Sequence, residues 1–188
     1  MMKVSKIRDE IADYWHKRQC DISQVFPKKD SFAAFYTSKF LIQDSAESIG
    51  SHMVRGFSKD PWTAYLEFWG VMQAIIIQQD AICELHNSIV GDYPAISSPS
   101  SWLELRDLRN KCAGHPAKKT AKKDQRHYRT FMGRSFGNYE SVTYEQYDSV
   151  SGKISHPRIN LRDLIGKYDN EAFQYLDAIL QALKTKCP

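Results

Sequence analysis

Apolar residues recur at three- and four-residue steps through most of this chain, which is the spacing of amphipathic helices. The longest such stretch follows Asp60-Pro61 and is apolar on nearly every face in its middle, so we expect it at the centre of a helical bundle. The pattern predicts helices over residues 3–17, from 30–31 to about 54, from 61 to about 89, from 101 to about 113, and over 161–184.

Capping residues mark where these helices begin and end. Asp30-Ser31, Asp60, Ser100 or Ser101, and Asn160 are typical N-caps, because their side chains accept hydrogen bonds from unpaired backbone N–H groups. At the end of the fourth helix, Gly114 suits the left-handed position that follows a helix, and the later proline cannot continue it. The fourth helix is therefore predicted to stop at this Ala-Gly-His-Pro sequence.

Between the fourth and last helices, the pattern changes to partial alternation rich in Tyr, Thr and Val. Residues 128–134, 141–150 and 153–159 are predicted strands, separated by the turn signals Gly137-Asn138 and Ser151-Gly152. We expect a small antiparallel hairpin or meander within an insertion at about residues 117–159. The predicted fold class is thus mainly α, a four- to five-helix bundle with this β insertion, forming a single domain over residues 1–188.

Composition and charge indicate a folded protein with its positive charge concentrated in one segment, but they identify no partner. The 188 residues are 42% hydrophobic and 26% charged, which is typical of a folded protein and excludes a disordered one. The net charge is +4, and six basic residues stand against one acid between Ala117 and Arg129. The N-terminus lacks a signal-peptide core, and the most apolar run, residues 71–77, is too short to span a bilayer. We therefore expect a soluble cytoplasmic protein with no membrane contact.

The cysteines and histidines favour neither a metal nor a cofactor. Cys20, Cys83, Cys112 and Cys187 are widely scattered and form no CxxC pair, so they imply no disulfide framework and fit a reducing cytosol. The histidines lack metal-ligand spacing, and no glycine-rich phosphate loop or GxSxG motif is present. The sequence predicts no metal site and no cofactor.

The candidate chemistry lies at the end of the fourth helix, in the stretch LRDLRNKCAGHPAKK. Two interpretations are open for its polar residues. Arg109 is either a solvated helix arginine or a functional cation, and His115 either follows a terminating glycine or takes part in a site. Helix termination requires neither Arg109, Asn110 nor His115.

These residues resemble the motif of the HEPN domain family, in which an arginine is followed after four to six residues by a histidine. Here Arg109 and His115 are separated by five residues, and the polar residue common after the arginine is Asn110. The resemblance implies an all-α bundle with the motif late in the chain. Many HEPN domains are metal-independent endoribonucleases that pair so that two motifs face one cleft, whereas others are non-catalytic binding or dimerisation modules. It therefore implies Arg109, Asn110 and His115 as the catalytic residues of a homodimer.

RNA cleavage without a metal explains why these residue types are used. Histidine titrates near neutral pH and can take the proton of the 2′-OH, and the planar arginine fork matches the oxygens of a charged phosphorane. On a continuous helix, Arg109 and His115 lie about 240° apart around the axis at 100° per residue. They converge if Gly114 turns the chain or if a second subunit completes the site, and the resemblance favours the second subunit.

Three groups of residues are candidates for supporting this site. Asp80 either pairs with Arg106 or Arg109, orienting the arginine, or faces the solvent. Tyr128 and Phe131 either stack on bases or pack in the fold. The basic run either binds the RNA backbone or is a solvated loop, and its RNA-binding candidates are Lys118, Lys119, Lys122, Lys123 and Arg126.

Three functions remain open from the sequence. The first is an endoribonuclease, as the toxic or defensive half of a prokaryotic system with an antitoxin protein as partner. The second is a non-catalytic HEPN-like module that binds a partner protein, a nucleotide or RNA. The third is an unrelated helical protein whose helix ends in Gly-His-Pro. Burial of His115 in a monomer core, or isolation of the motif on a convex surface, favours the third.

Overall fold

The computed structural model describes residues 2–26, 28–117, 119–120 and 127–188. Within these residues the fold is mainly helical, with six α-helices and one π-helical turn. The helices are α1 (Lys3–Arg18), α2 (Ile22–Val25), α3 (Lys29–Arg55), α4 (Pro61–Val90), α5 (Ser101–Arg109) and α6 (Leu161–Lys186), and the π turn is Asn110–Gly114.

Most of the predicted helix starts are confirmed by their hydrogen bonds. The side chain of Asp60 accepts from the N–H of Thr63 at 2.8 Å, and that of Asn160 accepts from Asp163 at 2.9 Å. Ser100, rather than Ser101, caps α5. The predicted cap at residues 30–31 is wrong, because α3 begins at residue 29 and Asp30 lies in its first turn. There its carboxylate faces the positive end of the helix dipole.

Helix α4 is the centre of the bundle, as predicted, because α3, α5 and α6 all pack against it. Gln78 and Gln79 interrupt its apolar face and are fully buried. Gln79 donates to the backbone carbonyl of Trp102 at 2.9 Å, and Gln78 donates to the hydroxyl of Ser45 at 3.3 Å. These bonds compensate for part of the cost of burying two amides, although the buried Oε1 of Gln78 accepts no hydrogen bond from the described residues. They also tie α4 to α5 and α3.

One side of α4 is left uncovered. Trp62 and Leu66 are 59% and 65% exposed, and Trp69 and Ile77 are 38% and 37% exposed. Their positions follow the helical period, so they form one apolar face, which we call the α4 face.

The insertion contains two small antiparallel sheets rather than one meander. One sheet has the order β1 (Lys119–Thr120), β2 (His127–Phe131), β5 (Glu145–Asp148), β6 (Ile154–Ser155). The other has the order β3 (Gly137–Asn138), β4 (Ser141–Thr143), β7 (Arg158–Ile159). The predicted strand over residues 141–150 is split at Tyr144, which is buried, so its two halves pair in different sheets. The predicted turn at Gly137-Asn138 is instead β3.

Aromatic and polar contacts fix the insertion on the helices. The rings of Tyr139 and Phe57 are stacked 4.7 Å apart. A 2.6 Å hydrogen bond joins the Tyr139 hydroxyl to Nδ1 of His52 on α3, and Nε2 of His52 lies 3.5 Å from the Glu67 carboxylate. Burial lowers the pKa of His52, with the Glu67 charge opposing that shift, and burial raises the pKa of Tyr139. The two sheets therefore rest on the same bundle that carries α5.

The expectation that the cysteines are unpaired is wrong for two of them. Cys20 and Cys187 form a disulfide across a sequence separation of 167 residues, joining the ends of α1 and α6. The hydroxyl of Tyr14 donates to the backbone carbonyl of Cys187 at 2.6 Å. Cys83 and Cys112 do not take part in this disulfide. Among the described residues, no helix has the length and apolar character needed to cross a membrane.

Candidate functional site

The motif does not end the helix in the way its sequence predicts. Gly114 does not adopt a left-handed conformation. Instead, the chain widens at the end of α5 into the π turn, where the N–H of His115 donates to the carbonyl of Asn110 at 2.8 Å, five residues back. Short π segments are often found at functional sites. The expected left-handed cap is therefore replaced by a π turn that connects Arg109, the last residue of α5, to His115.

The guanidinium of Arg109 lies against this π turn. Its Nη1 donates to the side-chain oxygen of Asn110 at 3.1 Å, and its Nη2 donates to Gln73 Oε1 on α4 at 2.9 Å. A Cβ on Gly114 would lie only 2.8 Å from Nη1 and 3.3 Å from Cζ of Arg109. Gly114 is therefore needed for the close approach of the arginine, rather than for a positive φ.

His115 follows the turn directly and is exposed to solvent. Its backbone leaves the helix, with φ −135° and ψ 51°. Among the described residues, no hydrogen bond joins the side chains of Arg109 and His115. The structure thus brings Arg109 and Asn110 into contact and places His115 one residue beyond the glycine on which the arginine rests. His115 is therefore not buried in a monomer core, which is one of the two observations that would favour an unrelated helical protein.

The π turn is held from two sides. On one side, the indole N–H of Trp69 on α4 donates to the carbonyl of Cys112 at 3.3 Å. On the other, the N–H of Thr130 on β2 donates to the carbonyl of Pro116 at 2.8 Å. The ammonium of Lys111 lies 5.7 Å from the centre of the Tyr128 ring. The β insertion is therefore anchored directly beside the motif.

Asp80 pairs with Arg106 and not with Arg109. Arg106 also donates through Nε to Gln79 Oε1 at 3.1 Å. The Asp80 side chain is 61% exposed, so it is both paired and at the surface. This contact joins α5 to α4 one turn before the motif. It does not orient the motif arginine, whose partner on α4 is Gln73.

The predicted RNA-binding lysines cannot be placed. Lys118, Lys122, Lys123 and Arg126 lie outside the described residues, and of Lys119 only the backbone, in β1, is described. Their role stays a prediction. Of the aromatic candidates, Tyr128 is half-buried, whereas Phe131 is 65% exposed.

Comparison with protein-family models, curated proteins and solved structures finds no match. The HEPN resemblance rests on the motif and on the helical architecture. Within the described part of the chain, no group of three His, Cys, Asp or Glu side chains is arranged to hold a metal ion.

Sequence reasoning missed two residues that hold the motif, Gln73 and Trp69. Both are on the exposed side of α4, four residues apart, and both bond to the α5–π segment. The available signal was weak. Gln73 is a single polar position on the otherwise apolar α4 face, and its partner is 36 residues away in the sequence.

Proposed function

We propose that this protein is a HEPN-like, metal-independent endoribonuclease whose catalytic residues are Arg109, Asn110 and His115. One observation carries the proposal. The Arg109 guanidinium is fixed against Gly114 by bonds to Asn110 and Gln73, and an exposed histidine follows immediately. An arginine that only contacts solvent requires neither a glycine packed against its guanidinium nor two hydrogen-bond acceptors on the protein.

Each residue has a distinct role in the proposed reaction. His115 takes the proton from the 2′-OH, whose oxygen attacks the adjacent phosphorus. The P–O5′ bond breaks, and the leaving 5′-oxygen takes a proton from solvent water. Arg109 stabilises the negative charge that develops on the phosphorane, because a fixed guanidinium requires no reorganisation during the step. Asn110 holds Arg109 in place through its side-chain oxygen. The products are a 2′,3′-cyclic phosphate and a 5′-hydroxyl.

A homodimer through the α4 face supplies the second half of the site. Trp62, Leu66 and Ile77 are exposed on the same side of α4 as Gln73, which bonds to Arg109. Apolar side chains of this size on one helix face are typical of protein interfaces. A two-fold contact there would bring two copies of the motif to one region. Leu66→Asp should shift sedimentation from dimer to monomer, and an unchanged sedimentation coefficient would remove this interface.

The experiment that tests the activity compares cleavage of a labelled single-stranded RNA, in EDTA, by the wild type and three variants. His115→Ala and Arg109→Ala are each expected to lower kcat/KM by at least about a hundredfold, the scale of losing a catalytic acid–base or charge-stabilising group. His16→Ala is the matched control, because His16 is also exposed and lies on α1 rather than on the β insertion. Full activity of His115→Ala overturns the proposal. RNA binding without cleavage by the wild type would favour the non-catalytic module.

A further inference from the structure

An exposed face of the larger sheet lies next to the motif. Residues alternate across a strand, and directly paired residues share a face. Arg129 pairs with Tyr147, which pairs with Ile154, and Phe131 is two residues beyond Arg129 on β2. These four side chains therefore stand on one side of the sheet, which we call the outer face.

The outer face is not packed against the bundle. Phe131 is 65% exposed and Ile154 is 59% exposed, and Arg129 is also at the surface. The opposite side of the same strand carries Tyr128, whose ring lies beneath Lys111 of the π turn. Phe131 thus contributes little to the core, and its exposure has no explanation in the stability of the fold.

Phe131 lies next to the catalytic histidine in the backbone pairing. The N–H of Thr130 donates a hydrogen bond to the carbonyl of Pro116 at 2.8 Å. Phe131 follows Thr130 and His115 precedes Pro116, and the two segments run antiparallel. The backbones of Phe131 and His115 are therefore neighbours across this contact.

The charges near Phe131 favour a nucleic acid strand that places a base, rather than a phosphate, against the phenyl ring. Glu145 stands opposite Phe131 on β5 and lies 3.5 Å from His156, so a phosphate is disfavoured at that point. Arg129 lies on the same face two residues away, about 7 Å along the strand. The segment from Ala117 to Arg129, which ends on this strand, carries six basic residues against one acid. A nucleic acid strand fits this pattern, with a base on Phe131 and a phosphate on Arg129.

We propose that the outer face binds single-stranded RNA beside the scissile bond, with a nucleobase stacked on Phe131 and a backbone phosphate held by Arg129. This proposal rests on the proposed endoribonuclease function and names its substrate class. Stacking requires a base whose face is free, which a single strand offers and a duplex does not. Phe131 is then a binding residue of the site, and Arg129 supplies a salt-dependent contact.

The test measures binding of a fluorescein-labelled single-stranded RNA by anisotropy in the His115→Ala background, so that the probe stays intact. Phe131→Ala should raise Kd roughly 5- to 150-fold, the range for losing one base–aromatic stack, and Phe131→Trp should restore the parental Kd. Arg129→Gln should lower the slope of log Kd against log salt by about 0.7, the value for one phosphate contact on a single strand. Phe40→Ala is the matched control, because Phe40 is 41% exposed on α3, away from the motif.

The outcomes separate this proposal from the proposed function. An unchanged Kd for Phe131→Ala, while the wild type cleaves RNA and His115→Ala does not, overturns the stacking site alone. Equal weakening by Phe131→Ala and Phe40→Ala also overturns it. Tighter binding of the annealed duplex than of the single strand overturns the assigned substrate class. Absence of both binding and cleavage by the wild type overturns the endoribonuclease itself.

Discussion

Replacing Gly114 by alanine moves Arg109 while leaving the backbone intact. The added Cβ would lie 2.8 Å from Nη1 of Arg109, where ordinary contacts begin at 3.4 Å, so Nη1 has to move by about 0.6 Å. If Nη1 moves away from Asn110, the 3.1 Å bond between them lengthens beyond hydrogen-bonding distance. The arginine is a flexible side chain, so the displacement costs little strain.

The effects on stability and on activity are therefore expected to differ. Alanine in a helical backbone gains about 0.5–1 kcal/mol over glycine. Loss of one or two hydrogen bonds costs about 1 kcal/mol each. The net change in the free energy of unfolding should stay within about 1–2 kcal/mol of the wild type. A misplaced catalytic group can cost about a hundredfold in rate, and kcat/KM should fall by about that factor.

The assays are urea unfolding and cleavage of labelled single-stranded RNA, with Gly166→Ala as control. A Cβ on Gly166 in α6 would meet nothing within 4 Å, so this variant should gain stability and cleave normally. In an Arg109→Ala background, Gly114→Ala should cause no further loss of activity, because both changes act on the same group. Wild-type kcat/KM for Gly114→Ala, or an additional loss in the double variant, would refute this account of the glycine.

Three further predictions follow from other contacts. Gln73→Ala should lower kcat/KM about tenfold, since it removes one acceptor from Arg109, and it should change the free energy of unfolding in urea by no more than about 1 kcal/mol. A wild-type rate would show that this bond is dispensable. Cys20→Ser should lower the free energy of unfolding by about 5 kcal/mol, because it removes the disulfide that closes a long loop in the unfolded chain. Guanidinium unfolding without reductant measures this loss, and Cys83→Ser, which leaves the disulfide intact, should not show it. Equal midpoints for the two variants would mean that the disulfide does not constrain the unfolded chain. Because burial lowers the pKa of His52, the folded state binds fewer protons than the unfolded state below about pH 6.5, and stability falls as the pH falls through that value. His52→Gln should flatten the decrease in the urea midpoint between pH 7 and pH 5, and an identical slope would contradict this.

The helices could be predicted from the sequence because their signals are local. The caps at Asp60 and Asn160 bond within the first turn of their own helices, and the helical period of apolar residues does not depend on distant contacts. The split of the second predicted strand, residues 141–150, at Tyr144 was not predictable in the same way. Its residues have strand character throughout, and only the pairing partners on β6 and β7 decide that two sheets form.

The candidate site was predictable in its residue types but not in its geometry. Arg109, Asn110 and His115 can be chosen from the motif alone. The π turn at Gly114 is held by contacts to its backbone from Trp69 on α4 and Thr130 on β2, and both residues are distant from it in the sequence. The disulfide was beyond prediction for the same reason, since its cysteines are 167 positions apart and no spacing rule relates them.

The central claim is that this chain cleaves RNA by attack of the 2′-OH, using Arg109 and His115 without a metal ion. The most direct measurement is the identity of the product ends when the wild-type protein is incubated in EDTA with an RNA and with the 2′-deoxy strand of the same sequence. The account predicts 2′,3′-cyclic phosphate and 5′-hydroxyl ends from the RNA and no cleavage of the deoxy strand. Cleavage of both strands, or an RNA product bearing a 5′-phosphate, would contradict it.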